Sequence, residues 1–152
     1  MIAGVNRTMV GSDHFGIFDS EFELILGSNL ELVQIADGLA FTEGDFWIPR
    51  LNKVIVSDIP NSRIVSWSES DGFGIYRKPS GRSNGNTIDR EGRVVTCLTQ
   101  GRSVVREELD GSMTTLAKYY KGGKLTSPND VVVKSDGRYG LPTPITAFST
   151  QP

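Results

Sequence analysis

One cysteine and one histidine in 152 residues remove whole classes of chemistry before any motif is read. Cys97 alone builds no internal disulfide framework, which points to a reducing compartment. His14 alone supplies neither a histidine-based triad nor a zinc cage, and it sits in an unpatterned N-terminal stretch. No apolar run approaches the length of a membrane span, and Met1 to Val10 lacks the apolar stretch of a secretory leader. Asn6-Arg7-Thr8 is then a chance match to a glycosylation sequon, and a cytoplasmic location is the expectation. An excess of one charge is missing too. Sixteen Lys and Arg stand against 18 Asp and Glu, net −2, with the basic residues scattered singly. Lys121 to Lys124 is too short a cluster to count as a patch, so neither nucleic acid nor a membrane is expected as a partner.

Helical periodicity is also absent: no stretch sustains an i, i+3, i+4 apolar stripe. Gly122-Gly123-Lys124-Leu125-Thr126 resembles a phosphate loop but has no Ser or Thr directly after the lysine, nor the required upstream glycine. What the chain does have is turns, with 17 Gly and 7 Pro. Short β-branched runs recur at 53–57, 63–67, 74–77, 93–97, 103–106, 113–116 and 130–133. Turn chemistry bounds them at Pro60-Asn61, Ser70-Asp71-Gly72, Arg90-Glu91-Gly92, Asp110-Gly111 and Ser135-Asp136-Gly137. Five-residue strands at roughly ten-residue spacing predict an all-β fold of hairpins in series. Periodicity alone leaves propeller and sandwich open.

Three segments follow from this reading. Residues 1–30 form an arm, in which Phe18, Phe22, Leu24 and Leu26 would make a short strand or a loosely packed stretch. Residues 31–137 carry the β pattern. Residues 138–152 break it, because Pro142-Thr143-Pro144 does not suit a central strand. That end reads as a tail, a truncation or a change of reading frame.

Two amide-rich segments stand out. Ser80 to Asp89 contains Asn84-Gly85-Asn86, the residues a hairpin turn favours, and Ser127-Pro128-Asn129-Asp130 precedes a valine run. With Phe41-Thr42-Glu43-Gly44, Val56 to Ile64 and Asp89 to Arg93, they resemble, in order, the SMP-30/gluconolactonase family, from roughly Leu32 to Gly137. That resemblance implies a six-bladed β-propeller, of which about three blades are present here. It also implies a divalent metal, calcium or zinc, and hydrolysis of a small-molecule sugar lactone. Glu43 and Asn129 match metal ligands, Arg82 and Asn84 match substrate-facing positions, and Asn86 adds a polar contact.

The chemistry suits those residue types. A hard cation takes carboxylate and amide oxygens and leaves positions for water and substrate. The family's remaining ligand and general base, an aspartate of a later blade, has no counterpart in residues 1–152, so no catalytic residue is assigned. Leu98-Thr99 also stand where many bacterial members carry Glu-His. Weak metal binding and slow turnover are the expectation, with a non-catalytic β-module as the alternative. Two chains would complete six blades as a homodimer.

Overall fold

The computed structural model describes residues 8–10, 18, 21, 22, 24 and 32–142. The chain divides between Gly38 and Leu39 into two units. In the first, β1 (Thr8–Val10) pairs antiparallel with β2 (Leu32–Gln34), Met9 opposite Val33. Of the short strand or loosely packed stretch expected around Phe22, the strand does not form: Glu21, Phe22 and Leu24 are helical, and Phe18, Phe22 and Leu24 are exposed. Apolar residues at alternate positions favour a strand only where a second sheet covers that face. Leu26 and His14 lie outside the described residues.

The second unit is all-β. Strands β3 (Thr42–Ile48), β4 (Lys53–Asp58), β5 (Arg63–Ser68) and β6 (Gly72–Arg77) form one four-stranded antiparallel meander. Strands β7 (Ser83–Ile88), β8 (Val94–Leu98), β9 (Ser103–Glu107) and β10 (Met113–Ala117) repeat it. Two hairpins follow, β11 (Tyr119–Tyr120) with β12 (Gly123–Lys124), and β13 (Val132–Val133) with β14 (Tyr139–Gly140). Between residues 32 and 142 the one helical segment is the 3-10 turn Pro49–Leu51. First strands of successive units lie side by side, β7 between β3 and β13. That radial order is a propeller's, not a sandwich's, and the fold is a partial β-propeller.

The turn chemistry explains the repetition. Asp89, Glu108 and Lys134 each donate N–H to the carbonyl four residues on, at 2.8 to 2.9 Å, and each accepts from a glycine three residues on. Those glycines, 92, 111 and 137, have φ of +76°, +84° and +87°. This is the three-residue hairpin with a left-handed glycine at its end. Tyr139 and Gly140, in the segment assigned above to the tail, thus pair as β14 behind such a turn.

Alternation along β8 lets the second sheet face two ways. Val94 packs with Ile48, Ile55 and Ile64 of the first sheet, all fully buried. Val95 and Cys97 point the other way, onto Val104 and Val131. Each such buried aliphatic contributes roughly 1.5–3 kcal/mol. The sheets are also joined by polar contacts. Arg77 on β6 pairs with Glu107 on β9, Tyr76 Oη donates to Glu107 Oε1 at 3.1 Å, and Arg50 Nε donates to the Gly92 carbonyl.

Candidate functional site

Both inner strands are irregular at the same end. In β3, Glu43 opposes Ser57 and Phe46 opposes Ile55, so Gly44 and Asp45 share one partner position. In β7, Ser83 opposes Leu98 and Asn86 opposes Thr96, so Asn84 and Gly85 do the same. A bulge of this kind kinks a strand and re-aims its side chains. The Asn-Gly-Asn segment is therefore not a hairpin turn but the head of a strand. It is held there by its neighbours: Gly85 N–H donates to the Asn129 carbonyl at 2.8 Å.

Two glycines make that approach physically allowed. Gly44 has φ +61°, and a methyl on it would collide with the Asn84 carbonyl oxygen and come within 2.8 Å of Gly85 Cα. A methyl on Gly85 would collide with Asp130 Oδ1 and stand 2.7 Å from Asp130 Cα. Glycine in a strand interior marks such a close approach.

The three strand heads enclose a cleft of about 350 Å³ lined by residues 43–46, 84–87 and 129–132. Glu43, Asn84, Asn86 and Asn129 all line it; Arg82 does not. Arg82 sits two residues ahead of Asn84, exposed, with φ +53° and its N–H on Ser62 Oγ. Asn84 Nδ2 donates to Asn129 Oδ1 at 2.7 Å, leaving that oxygen one lone pair. Glu43 is exposed to the cleft.

Asn86 is committed inward. Only 5% exposed, its Nδ2 donates to the Gly44 carbonyl at 2.8 Å, to Ser57 Oγ at 2.9 Å and to the Asn84 carbonyl at 3.1 Å. Its Oδ1 accepts from Thr96 Oγ1 at 2.9 Å. One amide thus ties β3, β4, β7 and β8 together beneath the cleft. Ser57 Oγ also donates to the Asn84 carbonyl at 2.7 Å.

Sequence reasoning missed four residues of this site. Asp45 and Asp130 put further carboxylates on the cleft wall, and Ser57 and Thr96 hold Asn86. Their signal was two inner strands that bulge at matching places, invisible in a pattern search tuned to alternation. Cys97, opposite the β7 bulge, is fully buried. Burial, then the Asp130 carboxylate, pushes its thiol up to about 12, so it packs as an inert small hydrophobe.

Among the described residues no three of His, Cys, Asp and Glu cluster closely enough to hold a metal. The oxygen set of the cleft is instead mixed: the Glu43 carboxylate and the free lone pair of Asn129 Oδ1, with Asp130 beside them. Carboxylate and amide oxygens are the donors a hard divalent cation prefers, and the set fits one in part. Among the described residues no helix is long and apolar enough to cross a membrane.

Comparison with known proteins follows the same residues. The family model described as the SMP-30/gluconolactonase/LRE-like region matches residues 41–146. A gluconolactonase of Zymomonas mobilis subsp. mobilis is 24% identical over 134 residues, covering 79% of this chain and 38% of its own. A solved gluconolactonase from Xanthomonas campestris superposes with a TM-score of 0.72 at 28% identity, over 78% of this chain and 40% of that one. A second solved structure, provisionally assigned as a gluconolactonase, gives 0.69 at 31% identity, over 76% and 40%. The chain spans about two fifths of the length of these relatives.

Proposed function

The chain belongs to the SMP-30/gluconolactonase/LRE-like family, and from that membership we propose that its cleft serves the metal-dependent hydrolysis of a sugar lactone. What supports the reading most is the convergence of Glu43, Asn84 and Asn129 from three successive propeller units on one cleft. Glu43 and Asn129 would hold a divalent cation, calcium or zinc. Such a cation, when bound, polarises a lactone carbonyl and lowers the pKa of bound water.

The chain's own groups set the rest. Asn84 orients the Asn129 oxygen by donating to it, which leaves its other N–H and its Oδ1 for a ligand. Asn86 fixes the Asn84 and Gly44 carbonyls by donating to both. Asp45 and Asp130 offer carboxylates to take the proton that water loses as it attacks. Arg82 meets the substrate from the edge.

A second reading, binding without turnover, has one observation in its favour: Asp130 Oδ1 already accepts the Val131 N–H at 2.8 Å. Calorimetry with calcium and with zinc separates the cases, alongside Glu43→Gln and Asn129→Ala and a pH-stat assay on glucono-δ-lactone. Micromolar metal affinity lost in both variants, with metal-dependent lactone opening, is the expected result. Metal binding without lactone opening would leave the second reading. No metal binding by the folded chain would sink the metal assignment.

A further inference from the structure

Basic residues that are scattered in the sequence gather on turns at the cleft end of the sheets. Glu43 pairs with Ser57, beside the β4–β5 turn, and Ser83 pairs with Leu98, beside the β8–β9 turn. Both turns therefore lie at the cleft end of their sheets. Hydrogen bonds link them. Arg82 N–H reaches Ser62 Oγ in the first turn, Thr99 N–H reaches the Arg82 carbonyl, and Arg102 Nε reaches the Leu125 carbonyl at 2.6 Å. Arg102 Nη2 adds the Lys124 carbonyl, pinning the β11–β12 hairpin to the same rim.

Charge along these segments has one sign. Residues 78–88, 94–105 and 111–129 hold Lys78, Arg82, Arg102, Lys118, Lys121 and Lys124 and no Asp or Glu. Arg82 and the hairpin lysines are exposed and make no ion pair with a described residue. Tyr119 and Tyr120 are 63% and 62% exposed, with Lys121 Nζ 5.5 Å from the Tyr120 ring centre. The hairpin base is closed by Leu125 N–H on the Lys118 carbonyl. Only three residues separate Leu125 from Asn129, a reach of at most about 14 Å over the four steps. A flexible lysine stem shortens the remaining gap.

We propose that this rim selects a lactone bearing a second anionic group, a carboxylate or a phosphate, which it holds while the ring enters the cleft. The inference rests on the lactone reading above and adds the substrate's charge to it. Exposed tyrosine faces suit the C–H edges of a sugar.

The test compares open-chain probes by calorimetry on the full chain: sorbitol, gluconate, glucarate and 6-phosphogluconate. At low salt the two dianions are expected to bind at least about tenfold tighter than gluconate, a gap that closes as salt screens the rim. The triple variant Lys118→Ala, Lys121→Ala, Lys124→Ala should close the gap, and its exposed positions leave the fold alone. Removing charge elsewhere, with Lys134→Ala and Arg90→Ala, should leave the gap open. A gain for 6-phosphogluconate alone would mark phosphate as the group recognised; a gain for both would mark charge. Equal affinity for gluconate and the dianions, a gap that survives the triple variant, or no binding by any acid would overturn the rim. A lysine-dependent gap without lactone opening, untouched by Glu43→Gln, would keep the rim and sink the lactone reading instead.

Discussion

Gly85 donates its peptide N–H to the carbonyl oxygen of Asn129 at 2.8 Å, while the neighbouring Asn84 side chain reaches the Asn129 side chain at 2.7 Å. The same two stretches of chain are therefore fastened twice, once by backbone and once by amide. That double fastening places a candidate ligand oxygen relative to the β7 strand head.

Adding a methyl at either cleft glycine should break this contact. Gly85→Ala would drive into Asp130 Oδ1 and Cα, and Gly44→Ala into the Asn84 carbonyl at a left-handed φ. Overpacking of this kind costs about 1–3 kcal/mol, and the backbone strain at Gly44 adds to it. Urea denaturation of both variants checks the size. A Gly74→Ala control, with open space where the methyl would stand and no left-handed φ, should lose less.

Asn86→Asp keeps the shape of the side chain but replaces its donors. A carboxylate there would face the Gly44 and Asn84 carbonyls in a nearly closed site. Burial and those two oxygens would raise its pKa above the unfolded value. The folded state then binds the extra proton, so the variant's stability falls as pH rises and recovers at low pH. A loss of about 1–3 kcal/mol at neutral pH is expected from an unsatisfied buried polar group. Stability that does not change with pH would argue against the hydrogen bonds assigned to this amide.

Acid should destabilise the fold through Asp58 and Asp89. Burial works against the Asp58 charge, but hydrogen bonds from Asn61, Arg63 and the Ala40 and Phe41 backbone outweigh it and lower its pKa. Asp89 is lowered in the same way: burial opposes ionisation, and Arg93 backbone and side chain with Glu91 N–H prevail. A lowered folded pKa gives stability that is fully present above the unfolded value of about 3.9 and lost as pH falls through the folded one. Denaturation curves taken from about pH 5 down to pH 2 should show that decline. Asp58→Asn should flatten part of the slope.

Glu107→Ala should cost more than a surface ion pair would. Arg77 is 17% exposed, its Nη1 is already buried without a partner, and Glu107 takes both Arg77 and Tyr76. Removing one member of a mostly buried pair costs about 3–5 kcal/mol. The double variant Arg77→Met, Glu107→Leu should recover most of it, since no charge is left stranded. A double-mutant cycle in urea measures the difference.

The middle strands of the first sheet were legible because they carry runs of β-branched residues between clean turns: Lys53 to Ser57 and Arg63 to Trp67 lie within β4 and β5. The inner strands were not. Thr42 to Ile48 carries Glu-Gly-Asp, and Ser83 to Ile88 carries Asn-Gly-Asn, compositions that local propensity assigns to turns. Tertiary fastening overrides that propensity, through Gly85 on Asn129 and Asn86 on Ser57. Glu43, Asn84 and Asn129 therefore entered as candidates by resemblance, while Asp45 and Asp130 needed coordinates to join the cleft lining.

The bulges carry a consequence for change over time. Each inner strand absorbs its extra residue in its first few positions, so Phe46 and Asn86 resume ordinary pairing immediately after. Phe46 to Ile48 and Asn86 to Ile88 then keep their register when residues 43, 45 or 84 change, so long as Gly44 and Gly85 stay. A lineage can then rewrite the strand heads, trading one ligand or specificity for another, while the body of each sheet inherits its packing untouched.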